Sequence, residues 1–132
     1  MAYDKEELVK HRLSRAKECA DDAKFALDND RLNNAENRIY YAIFYSVSAL
    51  ALKHDYSTSK HNQLIGWFNR NFIKTGKIEK EFGRIYKRQF ENRLESDYDD
   101  FVEFTLEQVK EDFENMKKFV NEIELCLWSK RC

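Results

Sequence analysis

Hydrophobic positions recur at steps of three and four along most of the chain, the spacing that gathers side chains on one face of an α-helix. The plainest run is Val102, Leu106, Val109, Phe113, Met116, Val120, Ile123 and Leu127, which alternates steps of four and three without a miss. A repeat of 3.5 residues belongs to coiled-coil-like packing against roughly antiparallel neighbours, and it predicts a last helix from about Asp100 to Trp128. At the other end, Asp4-Lys-Glu-Glu7 has capping-box spacing, so a first helix is expected from there to about Asn29. Its inner stripe is small (Ala16, Cys19, Ala20, Ala23, Ala26, Leu27) and permits a close neighbour. After the turn Asp28-Asn-Asp-Arg31, a second helix is expected over about Leu32 to Lys53. From Ile39 to Leu52 it carries no charge for fourteen residues. A helix wet on one side is not apolar nearly all round, so this one is either the centre of a bundle or shared with a second subunit.

A loop through Ser57-Thr-Ser-Lys60 leads to a third helix, about Lys60 to Lys74, with Leu64, Ile65, Phe68 and Phe72 inward. Thr75-Gly76 reads as its stop, Gly76 being free to take the left-handed cap. A fourth segment, about Ile78 to Leu94, buries Ile78, Phe82, Ile85 and Phe90, and Ser96-Asp-Tyr-Asp-Asp100 interrupts it. Glu95, Asp97, Asp99 and Asp100 then read as a helix N-terminus, where Asp is stabilising. They lack the Gly and the twelve-residue ligand rhythm of a calcium loop. The predicted fold is all-α: an up-and-down four-helix bundle with one additional short helix, in a single domain over residues 1–132.

Composition supports that reading. The 132 residues include no Pro and only three Gly, too few turn residues for a sandwich or barrel, while 42% hydrophobic and 14% aromatic content supplies a core. No stretch reaches the roughly 18 apolar residues of a membrane span, and the start lacks the apolar centre of a signal peptide. A soluble, cytoplasmic protein with no membrane partner is expected. Cys19, Cys126 and Cys132 are odd in number and far apart, with no Cys-x-x-Cys, so neither a disulfide framework nor a zinc site is expected. Cys19 and Cys126 read as small core residues and Cys132 as exposed.

The net charge of −1 hides an uneven distribution. Residues 60–93 hold nine Lys and Arg against three Glu, whereas residues 94–125 hold three Lys against eleven Asp and Glu. Lys77, Lys80, Arg84, Lys87 and Arg88 recur at helical spacing and form one face. Beside Tyr86, that face is a candidate grip for a phosphate backbone. Equally, it is a solvated face whose cations meet the acidic final helix of the same bundle. The histidines carry little chemistry on their own. His11 sits near Arg12 and Arg15 as a surface residue, His54 closes the second helix where a cation favours the dipole, and His61 opens the third. No His-Glu-x-x-His, Gly-rich phosphate loop or metal-ligand spacing is present, and no metal or cofactor is expected.

Three stretches together resemble a known family. Arg38-Ile-Tyr-Tyr-Ala-Ile-Phe-Tyr45 is similar to its Arg-x-Tyr-Tyr-Ala-x-Phe signature; Lys60 to Gly76 resembles its His-led helix ending in Lys-Thr-Gly; Arg93-Leu-Glu-Ser-Asp-Tyr98 resembles its Arg-x-x-x-Asp-Tyr element. The family is the HEPN domain (higher eukaryotes and prokaryotes nucleotide-binding), in its small prokaryotic branch. The resemblance implies a helical bundle that dimerises and works beside a minimal nucleotidyltransferase, frequently as a toxin–antitoxin pair. Many relatives are metal-independent RNases in which Arg, four to six residues and then His meet across the dimer cleft. There, His moves a proton at the 2′-hydroxyl and Arg stabilises charge on the scissile phosphate.

This chain departs from the RNase pattern, with Glu91 where the Arg would stand and Ser96 where the His would stand. A glutamate repels phosphate, so the leading expectation is a binding module, with nucleotide or RNA held by Arg38, Tyr41, Lys77, Lys80, Arg84, Lys87, Arg88, Arg93 and Tyr98. Arg93, Asp97 and Tyr98 also read as a structural lock, and Arg38 as either a cleft-lining residue or a buried ion pair. Tyr40, Phe44 and Tyr45 are the expected dimer contacts. The alternative is an RNA endonuclease using non-standard residues, among them Arg38, His61, Arg84 and Arg93.

Overall fold

The computed structural model describes residues 4–132. They form α1 (Lys5–Asp28), α2 (Leu32–Lys53), α3 (His61–Phe68) with a π-helical turn (Asn69–Ile73), α4 (Lys80–Tyr98) and α5 (Leu106–Leu127), with no strand among the described residues. The four long helices make an up-and-down bundle and α3 is the additional short one. No described helix is long and apolar enough to cross a membrane.

α2 packs against every other helix, most extensively against α1. The small stripe of α1 explains the pairing: Ala16, Cys19, Ala23 and Ala26 are buried, and α2 offers Ala35, Ala42 and Ala49 at steps of seven. Two small-residue stripes let the backbones come close. The uncharged run of α2 is buried within one chain, with Ile39, Ile43, Val47 and Leu50 fully enclosed. Most of the run thus lies at the bundle centre, while Tyr41, Tyr45 and Leu52 stay half-buried at its edge.

α5 buries Val109, Phe113, Met116, Val120, Ile123 and Leu127 as its repeat predicts, and adds Asp112, Phe119 and Cys126 on a second stripe. Its start differs from the expectation. The helix begins at Leu106, with Thr105 as an extended N-cap whose Oγ1 accepts from the Gln108 amide at 3.1 Å. Val102 lies ahead of it and Leu106 is exposed. Conversely, α4 runs on to Tyr98, its last turn braced by the Arg93–Asp97 pair one turn apart (3.6 Å). Glu95 and Asp97 therefore lie in the last turn of a helix, not at an N-terminus. Asp99 instead receives the Phe101 amide at 2.9 Å in the connection.

Two smaller expectations also change. α1 starts where predicted, but the Asp4 side chain makes no capping bond, so the box is not closed. The chain end turns back after α5 and Cys132 pairs with Cys126 as a disulfide, Cα atoms 5.2 Å apart. Neither residue is the free thiol the spacing suggested, since a six-residue separation gave no framework pattern to read. Cys19 is buried and free. Gly76 takes φ 77° after the π-helical turn, the left-handed stop anticipated for it.

Candidate functional site

The motif residues meet where the middle of α2, the start of α3 and the C-terminal half of α4 come together. Tyr40 is held 1% exposed, and its hydroxyl stands 2.6 Å from His61 Nδ1. A buried phenol needs an acceptor for its proton; Arg93 can only donate, and His61 Nδ1 stands within reach, so Tyr40 donates to it. The His61 ring stacks on Phe44 with centroids 4.3 Å apart, and meets the edge of Tyr41 at 5.9 Å. Burial lowers the His61 pKa, and the positive charge of Arg93 lowers it further, so the ring is neutral near pH 7. With Nδ1 accepting, the ring proton sits on Nε2. His61 thus presents a donor, not a base.

Two guanidiniums cover the neighbouring ring. Arg93 lies 5.2 Å from the Tyr40 centroid and 5.9 Å from that of Tyr41, while Arg38 lies 5.2 Å from Tyr41. Arg38 is steadied by Asn37 Oδ1, at 2.6 Å from Nη2 and 3.1 Å from Nε. No carboxylate is within ion-pair distance of Arg38 among the described residues, so it lines a cleft and forms no buried ion pair. Tyr45 extends the aromatic row, with Arg15 stacked on it at 4.9 Å and bonded to its hydroxyl at 3.2 Å. Tyr40 and Phe44 are buried inside the chain; Tyr45 is half-buried.

Other expected residues lie elsewhere. Tyr98 is 87% exposed and makes no hydrogen bond or cation–ring contact with Arg38 or Arg93 among the described residues, so the lock consists of Arg93 and Asp97. The basic stripe is narrower than its spacing suggested. Lys77 precedes α4 and lies over Phe72 at 5.6 Å, and Arg88 turns inward to Asp112 at 2.8 Å. Lys80, Arg84 and Lys87 remain on the outer face, Lys87 loosely paired with Glu91 at 3.9 Å. Tyr86 is fully buried and offers no ring beside them. His54 packs edge-on to Phe72 at 5.4 Å. It stands at the C-cap of α2 as expected, but burial and then Lys53 lower its pKa, which weakens the cationic role there.

Next to this cluster of rings and guanidiniums lies a polar group that the motifs did not disclose. Asp112 of α5 is fully buried and accepts from Arg88 Nε at 2.8 Å and from Asn92 Nδ2 at 3.4 Å. Beside it, Glu36 of α2 is 5% exposed, with neither carboxyl oxygen bonded at ordinary geometry. Burial first, then a proton shared with Asp112, push Glu36 up to about 9. The signal was present in the sequence: Glu36 stands four residues before Tyr40 and Asp112 seven before Phe119, both on core stripes.

This bundle and this placement of motifs define a HEPN-type helical module. The chain matches the HEPN domain family over residues 9–126 and belongs to it. It is 49% identical over 121 residues to a UPF0332 protein of Thermotoga maritima, covering 92% of each chain. It is also similar to two Methanocaldococcus jannaschii proteins named as candidate toxins. One is 37% identical over 76 residues (58% of this chain, 57% of that protein) and the other 31% identical over 96 residues (73% and 65%).

Proposed function

We propose that the protein is a dimeric, cytoplasmic HEPN module of a toxin–antitoxin-like pair, working with a minimal nucleotidyltransferase, and that its Arg38–Arg93 shelf binds nucleotide or RNA without cutting it. The observation that carries the binding is the convergence of two guanidiniums over Tyr41, beside the His61 donor. Arg is suited to this because its planar fork meets phosphate oxygens bidentately. Arg93 spends part of its charge on Asp97, at a loose 3.6 Å, while Arg38 faces only neutral partners. The toxin-like names of the Methanocaldococcus jannaschii relatives support the pairing.

A second reading is favoured by the same cluster. His61 and Arg93 approach one tyrosine from different helices, so a histidine and an arginine meet here although the sequence pattern of the RNases is missing. In an endonuclease, His61 would have to take the proton of a 2′-hydroxyl, and Tyr40 blocks the nitrogen that is free of hydrogen. Binding is therefore the stronger reading.

Fluorescence anisotropy with a labelled RNA oligonucleotide at low salt tests both. Arg38→Ala and Arg93→Ala are expected to weaken binding about tenfold each, the scale of one lost charged hydrogen bond. RNA incubated with the protein in EDTA is expected to stay intact. Unchanged affinity in both variants would remove the shelf from the site. Cleavage in EDTA that is lost in His61→Ala would establish the endonuclease instead.

A further inference from the structure

The shelf does not end at Arg38. A groove of about 500 Å³ continues from it between α1 and α2 toward the turn that joins them, within the roughly 300–1,000 Å³ of small-molecule sites. Arg38 and Asn37 close one end, Arg31 the other, and Phe25 and Asn34 line the stretch between. Arg31 stands seven residues before Arg38, so the two guanidiniums share one side of α2 about 10 Å apart along its axis. Asp22 is the one carboxylate in the lining. It belongs to the Arg38 end, since both charges act on Cys19.

The lining is short of partners within the chain. Phe25 is 68% exposed, and neither a ring nor a cation packs on it among the described residues. A single exposed phenylalanine is ordinary; its setting between two arginines is not. No carboxylate stands within ion-pair distance of Arg31 among the described residues, and Asp28 of the turn is already held by Lys24 at 2.9 Å. Arg38 has only neutral partners, Asn37 Oδ1 first among them, which leaves the Asn37 amide nitrogen free to donate. A cation, a bare ring and a second cation in a row is the pattern by which proteins follow a single strand, its charges on the backbone and its ring under a base.

Resting on the RNA reading above, we propose that this groove takes the nucleotide of a single-stranded RNA next to the one on the shelf. Its base stacks on Phe25 and its phosphate lies on Arg31, at the end away from Asp22. A ring face receives any base, so the groove adds affinity without base preference. A mononucleotide whose phosphate lies on Arg38 and Arg93 places nothing there. The ligand is therefore a strand.

Isothermal titration calorimetry at low salt with AMP and with the RNA tetramer of adenylate tests this. The wild type is expected to bind the tetramer at least tenfold more tightly than AMP. Phe25→Ala and Arg31→Ala are each expected to weaken tetramer binding about tenfold and to leave AMP binding unchanged, while Phe25→Trp retains the tetramer. Arg31→Ala is also expected to flatten the dependence of log affinity on log salt by about 0.7, the value of one phosphate contact on a single strand. Both side chains are exposed, so the variants are expected to keep the wild-type circular dichroism. If both alanine variants bind the tetramer as wild type does, the groove is off the path and the proposal is overturned while the shelf stands. Arg93 lies outside the groove, so Arg93→Ala reports on the shelf alone. A tetramer indifferent to Arg93 but held by Phe25 and Arg31 would remove the shelf and, with it, the continuous path. If wild type binds no tetramer, both readings fall.

Discussion

At the scale of single residues, the informative contact is Tyr40 with His61. The hydrogen bond at 2.6 Å fixes more than ring orientation. Because Tyr40 is enclosed, its proton has one destination, and the imidazole is locked with hydrogen on Nε2. Nitrogen-15 NMR of the His61 ring near neutral pH is expected to show that tautomer, and a ring protonated on Nδ1 would contradict it. Tyr40→Phe is expected to release the tautomer and cost about 1 kcal/mol of stability in urea unfolding, the net worth of one buried hydrogen bond. The lowered pKa of His61 has a definite sign for folding. The unfolded ring takes up its proton more readily than the folded one, so the contribution of His61 is present above its ordinary pKa near 6.5 and is lost as pH falls. A His61→Gln variant is accordingly expected to lose less stability than wild type between pH 7 and pH 5.

At the scale of elements, α2 shows what periodicity can and cannot reveal. Its ends, its burial and its central place were all legible, since an uncharged run has only a buried home. What it would be buried against was not. Phe44 is 9% exposed and stacked on His61, so it is a core residue before it is a contact for a second subunit. Phe44→Glu is expected to unfold the chain by circular dichroism, an unpaired charge having been placed in the core. Tyr45→Glu, on the half-buried neighbour, is expected to stay helical and to shift the mass in light scattering from dimer to monomer. A Tyr45→Glu dimer of unchanged stability would take Tyr45 out of the interface. The α4–α5 connection was misplaced for a physical reason: Asp-rich segments suit both a helix N-terminus and a helix end followed by a turn. Only tertiary packing chose the second, with Thr105 taking the cap. A close approach was equally invisible. A Cβ on Gly83 of α4 would come 3.3 Å from two carbons of Ile73. Gly83→Val is therefore expected to lower stability by about 1–3 kcal/mol through overpacking, measurable by urea unfolding.

At the scale of the whole molecule, three long helices meet on one polar centre. Glu36 from α2 and Asp112 from α5 form a buried pair of carboxyls, with Asn92 and the half-exposed Arg88 of α4 closing on Asp112 from the outside. Sequence patterning marks such residues as breaks in a stripe without saying that they find one another, because their helices are far apart in the chain. Their meeting makes stability depend on pH. Glu36 keeps its proton up to about 9 in the folded state, while an unfolded glutamate loses it near its ordinary value of 4.5. The folded chain therefore binds more protons between those values, and stability falls as pH rises through that window, levelling off once the folded carboxyl ionises. His54 and His61 act in the opposite direction, but only below about pH 6.5, so the cleanest interval is pH 7 to 8.5. Over it, one such carboxyl accounts for at most about 2 kcal/mol. Urea unfolding across that interval is expected to show the decline in wild type and to show it flattened in Glu36→Gln, which keeps the shape but has no proton to lose. Arg88 faces Asp112 directly, so Arg88→Met is expected to carry the decline on past pH 9 by withdrawing the one cation that favours ionisation there. Equal slopes in wild type and Glu36→Gln would mean that Glu36 is already ionised in the folded protein, with its charge compensated by Arg88.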